Sequence, residues 1–275
     1  MKMNVIVTLM IALTLSACGG KSEKQRLKDL EAERPAEQIY SRAEAAMSEG
    51  EYGTAVKLFD EVERQHPYSQ YAIQAQLNSA MASYKALNYD EAIIAFDRFI
   101  ELHPGHVDVP FAIYMKGQSY YEQISDVKRD QELTKLALNT FDTLIQRFPE
   151  SNWSREAEYK RDLALDHLAG KEMEVGRYYL TRGHINAAIN RFLLVVRQFD
   201  TTTHTPEALY RLVESYLTLG LDAQALQVAA VLGHNYPGDK WYERAYELLD
   251  PRQRQQMLED RGFFEKTIDS LLQPE

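Results

Sequence analysis

The chain has one cysteine, Cys18, in 275 residues, so no disulfide can form within it. It has no glycine-rich phosphate loop and no zinc-protease motif, and its carboxylates are scattered as on solvated helix faces. An enzyme would have to place its chemistry elsewhere, so the sequence reads as non-catalytic. There is no basic excess: the net charge is −10. That excludes the cationic footprint nucleic acid needs, and electrostatic adhesion to anionic lipid. After the first fifteen residues no apolar run is long enough to cross a bilayer, and no stretch alternates as a strand bounded by turns. Apolar material is not lacking: 45% of residues are hydrophobic, with 17 Tyr and 10 Phe, which rules out a disordered chain.

What is there begins at the N-terminus. Lys2 precedes an apolar run from Met3 to Leu15, closed by Leu15-Ser16-Ala17-Cys18. The run is short of the roughly 20 residues a spanning helix takes and is flanked like a cleaved secretory signal. The last four residues read as a lipobox, with residues 1–17 removed and Cys18 carrying lipid. The alternative is an ordinary signal cut before an unmodified Cys18; lipidation accounts better for a cysteine with no partner. Two or more acyl chains hold a protein stably on a membrane. By resemblance to enterobacterial lipoproteins, where Asp after the cysteine retains the protein at the inner membrane, Gly19 implies the outer one. Residues 18–35, charged and ending at Pro35, read as a tether, whose first half could instead extend a helix through Leu27 and Leu30.

The body repeats itself. Ala55, Phe59 and Pro67 recur as Ala92, Phe96 and Pro104, and as Ala137, Phe141 and Pro149. Ala188 and Phe192 continue with Asp200 in the proline position; Ala225, Ala229 and Pro237 continue with a smaller core residue. Ala43, Ala80 and Gly176 hold a small residue twelve positions before the alanine, and Gly117 starts the third copy. The i, i+4 step is one helix face, and small residues let two antiparallel helices approach. Gly50, Gly183 and Gly220 fall where each first helix must end, in the left-handed position; the prolines stop each second helix. Two interruptions stand out: an insertion around Ile124–Lys135, and extra apolar-patterned residues between Pro149 and Gly176, which predict a long helix.

This pattern over residues 36–239 resembles the tetratricopeptide repeat (TPR). The expected fold is all-α: a TPR solenoid of about five helix pairs with a long connecting helix and an additional C-terminal helix. The expected division is repeats one to three over 36–151, the long helix with repeats four and five over 152–239, and a capping region over 240–275. In that region Met257, Phe263, Phe264, Ile268, Leu271 and Leu272 form an apolar stripe.

The local sequence is similar to one TPR family in particular. Arg98-Phe99-Ile100, Leu102, Pro104 and His106, then Tyr114-Met115-Lys116-Gly117, resemble the second-to-third repeat junction of the BamD family. So do Arg129-Asp130-Gln131 in the insertion and Tyr178-Tyr179, Arg182-Gly183, Ala187-Ala188, Asn190-Arg191 and Arg197 in the fourth repeat. The resemblance implies a lipid-anchored scaffold at the periplasmic face of the outer membrane, in the machinery that assembles β-barrel proteins. Its expected partners are the POTRA region of a BamA-type barrel, other lipoproteins of that machinery, and unfolded outer membrane proteins whose C-terminal targeting signals it receives. No cofactor, metal or nucleic acid is expected. Two alternatives remain: a periplasmic TPR lipoprotein adaptor for cell-wall enzymes, and a lipid-anchored enzyme.

The TPR resemblance puts the first helix of each pair on the concave face. Counting from the repeat starts places Tyr40, Met47, Leu77, Met81, Tyr84, Phe111, Tyr114 and Tyr121 there as a client-peptide groove, with Lys85 or Lys116 available to a terminal carboxylate. Some of these could equally pack between helices. Asn190, Arg191 and Arg197 are the expected partner interface, Arg197 matching the family's arginine for an acidic POTRA residue; the bland reading is a local ion pair. His66, His103 and His106 lack a third ligand at metal spacing.

Overall fold

The structure, a computed structural model, describes residues 35–259. Cys18, the signal, nearly all of the tether and the apolar residues from Met257 to Leu272 lie outside what it describes of side chains. Among the described residues every regular element is a helix. In chain order these are α1 (Ala36–Ser48), α2 (Tyr52–Gln65), α3 (Ala72–Lys85), α4 (Tyr89–Leu102), α5 (Val109–Tyr121) and α6 (Glu132–Arg147). Then come α7 (Asn152–Thr181), α8 (Ile185–Gln198), α9 (Thr205–Thr218), α10 (Asp222–Asn235), α11 (Lys240–Leu248) and α12 (Pro251–Glu259). They form two compact units, one ending at Asn88 and one starting at Tyr89.

In the first unit α2 packs against both α1 and α3. Its core joins Ile39, Ala43 and Ala46 of α1 to Ala55, Phe59 and Val62 of α2. In the second unit each helix packs on the next from α4 to α10, and α11 lies against both α9 and α10. The second helix of each pair repeats one stripe. Ala55, Phe59 and Val62 are buried in α2, as are Ala92, Phe96 and Phe99 in α4, Ala137, Phe141 and Leu144 in α6, and Ala188, Phe192 and Val195 in α8. That i, i+4, i+7 spacing is one face of a 3.6-residue helix.

Close approach explains the glycines on the first helices. A Cβ on Gly117 would stand 2.6 Å from the Phe141 ring, and one on Gly176 2.4 Å from Phe192. The α6 and α8 phenylalanines fill the space a side chain on α5 or α7 would need. Gly50, Gly183 and Gly220 end their helices at φ 80°, 75° and 72°, as the sequence predicts. In the second repeat Leu87 holds that position at φ 62° with its side chain 70% exposed. A non-glycine residue there costs about 1 kcal/mol, and the exposed side chain returns little for it. Leu87→Gly is therefore expected to raise stability by roughly 0.5–1 kcal/mol. An unchanged or lower urea midpoint would contradict that.

The prolines are not what fixes the second-helix ends. His66, Phe148 and Tyr236, each before a proline, share φ near −133° (−132°, −136°, −130°). Phe199 takes the same conformation, φ −133°, before Asp200. In all four the backbone N–H donates to the carbonyl four residues back, so the repeat's packing sets the ending with or without proline.

The long helix is α7, 30 residues or about 45 Å. Ser151 caps it, its Oγ accepting from the Trp153 N–H at 3.2 Å. The insertion docks on this helix: Lys171 Nζ donates to the Lys128 carbonyl at 2.7 Å, and a Cβ on Gly170 would lie 3.2 Å from Val127. Gln131 Nε2 closes the insertion on the carbonyls of Val127 and Arg129. No described helix is long and apolar enough to cross a membrane.

Candidate functional site

The first unit carries five of the expected groove residues. Tyr40 is 9% exposed and Leu77 3%, so both are packed inside the unit instead of lining an open face. The Tyr40 ring meets Phe59 edge-on at 5.5 Å and Tyr71 at 5.2 Å, and its hydroxyl accepts from Asn78 Nδ2 at 2.9 Å. Met47, Met81 and Tyr84 are half-buried. A repeat-start count locates a helix but not which of two adjoining faces a residue takes, which is why Tyr40 and Leu77 fall inside.

In the second unit Phe111, Tyr114 and Tyr121 come together along α5, facing α7. Pro110 in the first turn sets the start of α5, and Trp153, at the start of α7, stacks over both Phe111 (4.8 Å) and Tyr114 (5.2 Å). Further along, Lys160 Nζ sits 4.6 Å above the Tyr121 ring. Burial raises the Tyr114 hydroxyl pKa, helped by Glu156 and Glu122; burial does the same to Tyr121, beside Tyr159 and Glu122. Both stay neutral hydrogen-bond donors at any physiological pH. Trp153 is 37% exposed and Tyr159 63%, so the strip is an open aromatic surface with one lysine. Lys116 is engaged elsewhere, with Asp97 at 2.5 Å.

The expected partner residues sit on α8. Asn190 is exposed. Arg191 Nη1 pairs with Glu172 of α7 at 2.8 Å, tying the two helices together. Arg197 is half-buried near Tyr216 of α9, where its charge opposes the burial that raises that phenol's pKa. Beside them, the insertion, α7 and the end of α8 enclose an open cleft of about 580 Å³, whose walls include Lys128, Lys135, Lys171, Leu194 and Gln198. Arg177 on α7 bridges Glu174 (2.5 Å) and Glu207 of α9 (3.1 Å). Burial weighs against its charge, but hydrogen bonds to both carboxylates outweigh that and raise its pKa.

His103 and His106 pack on the Phe99 ring at 5.3 and 5.5 Å, and His106 Nδ1 accepts from the Asp108 N–H at 3.2 Å. Among the described residues no group of His, Cys, Asp and Glu could hold a metal ion.

Two groups escaped the sequence reading. One is Trp153. The other is a second stacked pair, Tyr210 of α9 and Trp241 of α11, 5.1 Å apart. A signal was present for both: the chain's two tryptophans each stand two residues after a capping side chain, in Ser151-Asn152-Trp153 and Asp239-Lys240-Trp241. Their tyrosines each stand four residues after a first-turn proline, Pro110 and Pro206.

The family model described as "YfiO: Outer membrane lipoprotein" matches residues 32–231. The outer membrane protein assembly factor BamD of Caulobacter vibrioides is 45% identical over 245 residues, covering 89% of this chain and 80% of its own. That of Rickettsia prowazekii is 40% identical over 249 residues, 90% of this chain and 98% of its own. That of Neisseria meningitidis (serogroup A) is 31% identical over 253 residues, 88% and 95%. Among solved structures, the TPR domain of P58(IPK) is similar over 94% of this chain and 69% of its own, at 14% identity and a TM-score of 0.42. A match spanning most of the chain, and relatives covered over 80% and 98% of their own length, place it: the chain belongs to the BamD family of outer membrane lipoproteins.

Proposed function

We propose that this chain is a lipid-anchored, non-catalytic scaffold that receives unfolded barrel proteins and holds a BamA-type partner at the periplasmic face of the outer membrane. Its role as an outer membrane protein assembly factor follows from the family. The finer reading is supported by the aromatic strip. Targeting signals of barrel proteins are expected to be extended, apolar and aromatic at the C-terminus. Phe111, Tyr114 and Trp153 offer flat apolar contact with little side-chain entropy to lose, and the Lys160 ammonium beside Tyr121 suits a terminal carboxylate. Within the first unit Met47, Met81 and Tyr84 offer a similar chemistry of their own.

On α8, Asn190, Arg191 and Arg197 form the proposed surface for the POTRA region. An arginine fork binds a carboxylate bidentately. Arg191 already spends part of its fork on Glu172, and Arg197 is the proposed anchor by its match to the family's arginine. Other lipoproteins of the machinery are further proposed partners.

Trp153→Ala is expected to weaken binding of a peptide carrying a barrel protein's C-terminal signal by about tenfold, the cost of removing an aromatic anchor, while leaving copurification with the POTRA-bearing barrel intact. Arg197→Glu should do the reverse. If both variants failed alike, the two surfaces would not be separate. Recovery of the wild-type chain only with peptidoglycan enzymes would overturn the proposal in favour of a cell-wall adaptor.

A further inference from the structure

The second tryptophan–tyrosine pair repeats the geometry of the first in a different electrostatic setting. Tyr114–Trp153 and Tyr210–Trp241 have centroids 5.2 and 5.1 Å apart, each with 33° between the rings. In both, the tryptophan follows a capping side chain at a helix start and lies on the tyrosine of the preceding first helix. Around Tyr114 the charges are the carboxylates of Glu156 and Glu122. Around the second pair both signs are present: Glu214 and Glu207 act on the Tyr210 hydroxyl, while three cations lie near the Trp241 ring, Arg244 at 4.9 Å from its centre, Lys240 at 5.3 Å and Arg211 at 5.7 Å.

Intramolecular pairing does not use up this positive charge. Glu214 pairs with Arg211, and Glu207 is shared between Arg211 and Arg177. Lys240 and Arg244 are exposed, and among the described residues neither forms an ion pair; Glu243 of the same helix is exposed and pairs with neither. On a chain of net charge −10, two exposed cations outside any ion pair, Lys240 and Arg244, stand at the edge of a half-buried aromatic pair, open to a carboxylate from outside. Cations held over an indole face keep their outward hydrogen-bonding capacity for a carboxylate, and a flat ring pair offers apolar contact to an extended segment.

We propose that Tyr210, Trp241, Arg211, Lys240 and Arg244 form a second docking site, for an extended acidic polypeptide segment whose apolar side chains pack on the ring pair while its carboxylates meet Lys240 and Arg244. The site does not depend on the client strip around Trp153 or on the surface at Arg197. Two ring pairs of like geometry, the second with cations against its indole, let one scaffold hold two chemically distinct segments at once.

The chain's two tryptophans make a direct test available. In the mature full-length chain with Cys18→Ser and Trp153→Phe, Trp241 is the one remaining indole, and its emission reports on this site. Titration with a short peptide alternating Glu and Leu is expected to shift that emission saturably. Arg244→Glu should weaken the affinity by about tenfold, and raised salt should weaken it further. A Lys/Leu peptide of equal length should leave the emission unchanged. The proposal is overturned if the acidic peptide gives no saturable shift, if the basic peptide binds equally well, or if Arg244→Glu changes nothing. A shift that depends on protein concentration without peptide, with a dimer in sedimentation, would mean that a second copy covers this face, and would also overturn it.

Discussion

Gly176→Val is expected to destabilise the second unit by about 3 kcal/mol or more, because the side chain has nowhere to go. A Cβ at this position of α7 would stand 2.4 Å from Phe192 Cε1 and 2.9 Å from Cδ1 and Cζ. A flexible neighbour could give way, but Phe192 is fully buried and flanked by Ala169, Met173, Leu209 and Leu212 in the same core. Moving the ring means moving α8 off α7. Alanine alone would gain up to about 1 kcal/mol of helix propensity over glycine and still meet the ring; valine adds two methyl groups and loses part of that gain. Against a total stability of about 5–15 kcal/mol for a domain, such a loss is large.

Two comparisons make the argument specific. Gly53, in the first turn of α2, has nothing within 4 Å of a built Cβ, so Gly53→Ala should be neutral or slightly stabilising. Phe192→Ala should by itself cost about 3–5 kcal/mol by leaving a cavity. Combined with Gly176→Val, it opens the space the valine needs. The double variant should therefore be clearly more stable than the sum of the two losses implies. Strict additivity in urea melts would show that the glycine matters for some reason other than the ring. Because a repeat array opens locally, hydrogen exchange should show lost protection first in α7 and α8, with α1 and α2 unaffected.

The same pair shows what a sequence makes legible. The alanine–phenylalanine–proline rhythm and the small residue before it are local consequences of packing two helices closely, so they are written in each repeat at fixed spacing. The left-handed glycines are visible for the same reason, and Gly50, Gly183 and Gly220 stand where the pattern puts them. Leu87 shows the limit: the backbone takes the left-handed turn there because the helix must end, not because the residue prefers it. The site residues are harder. Tyr40 and Leu77 share a helix with candidate groove residues, and a shift of about 100° around the axis separates an open face from a buried one. Trp153 and Trp241 each belong to the second helix after the one that carries the tyrosine they cover, and the meeting of α7 and α11 with α5 and α9 is a tertiary fact. Arg191 reads as free from its neighbours along the chain, and only the meeting of α7 with α8 brings Glu172 to it.

Cys18→Ser should move the chain from the membrane to the soluble fraction while leaving its fold unchanged. Cys18 lies outside the described residues, and the run closing in Leu15-Ser16-Ala17-Cys18 carries the expectation. No described helix can cross a bilayer, and the net charge of −10 repels anionic headgroups. On the proposed reading, lipid on Cys18 carries most of the affinity. Each buried methylene contributes about 0.8 kcal/mol, so two or more acyl chains give stable anchoring where a single one is marginal. Losing all of them should cut membrane partitioning by many orders of magnitude, limited in practice by partner binding. The thermal midpoint of the soluble variant should match that of the lipidated chain, since the repeats make their own cores in each unit. Fractionation then separates two roles. If the variant is found soluble, and returns to the membrane when a POTRA-bearing barrel is overproduced, the repeats supply an attachment of their own, which Arg197→Glu should abolish. If it stays membrane-bound with the barrel depleted, lipid on Cys18 is not what holds this protein in place.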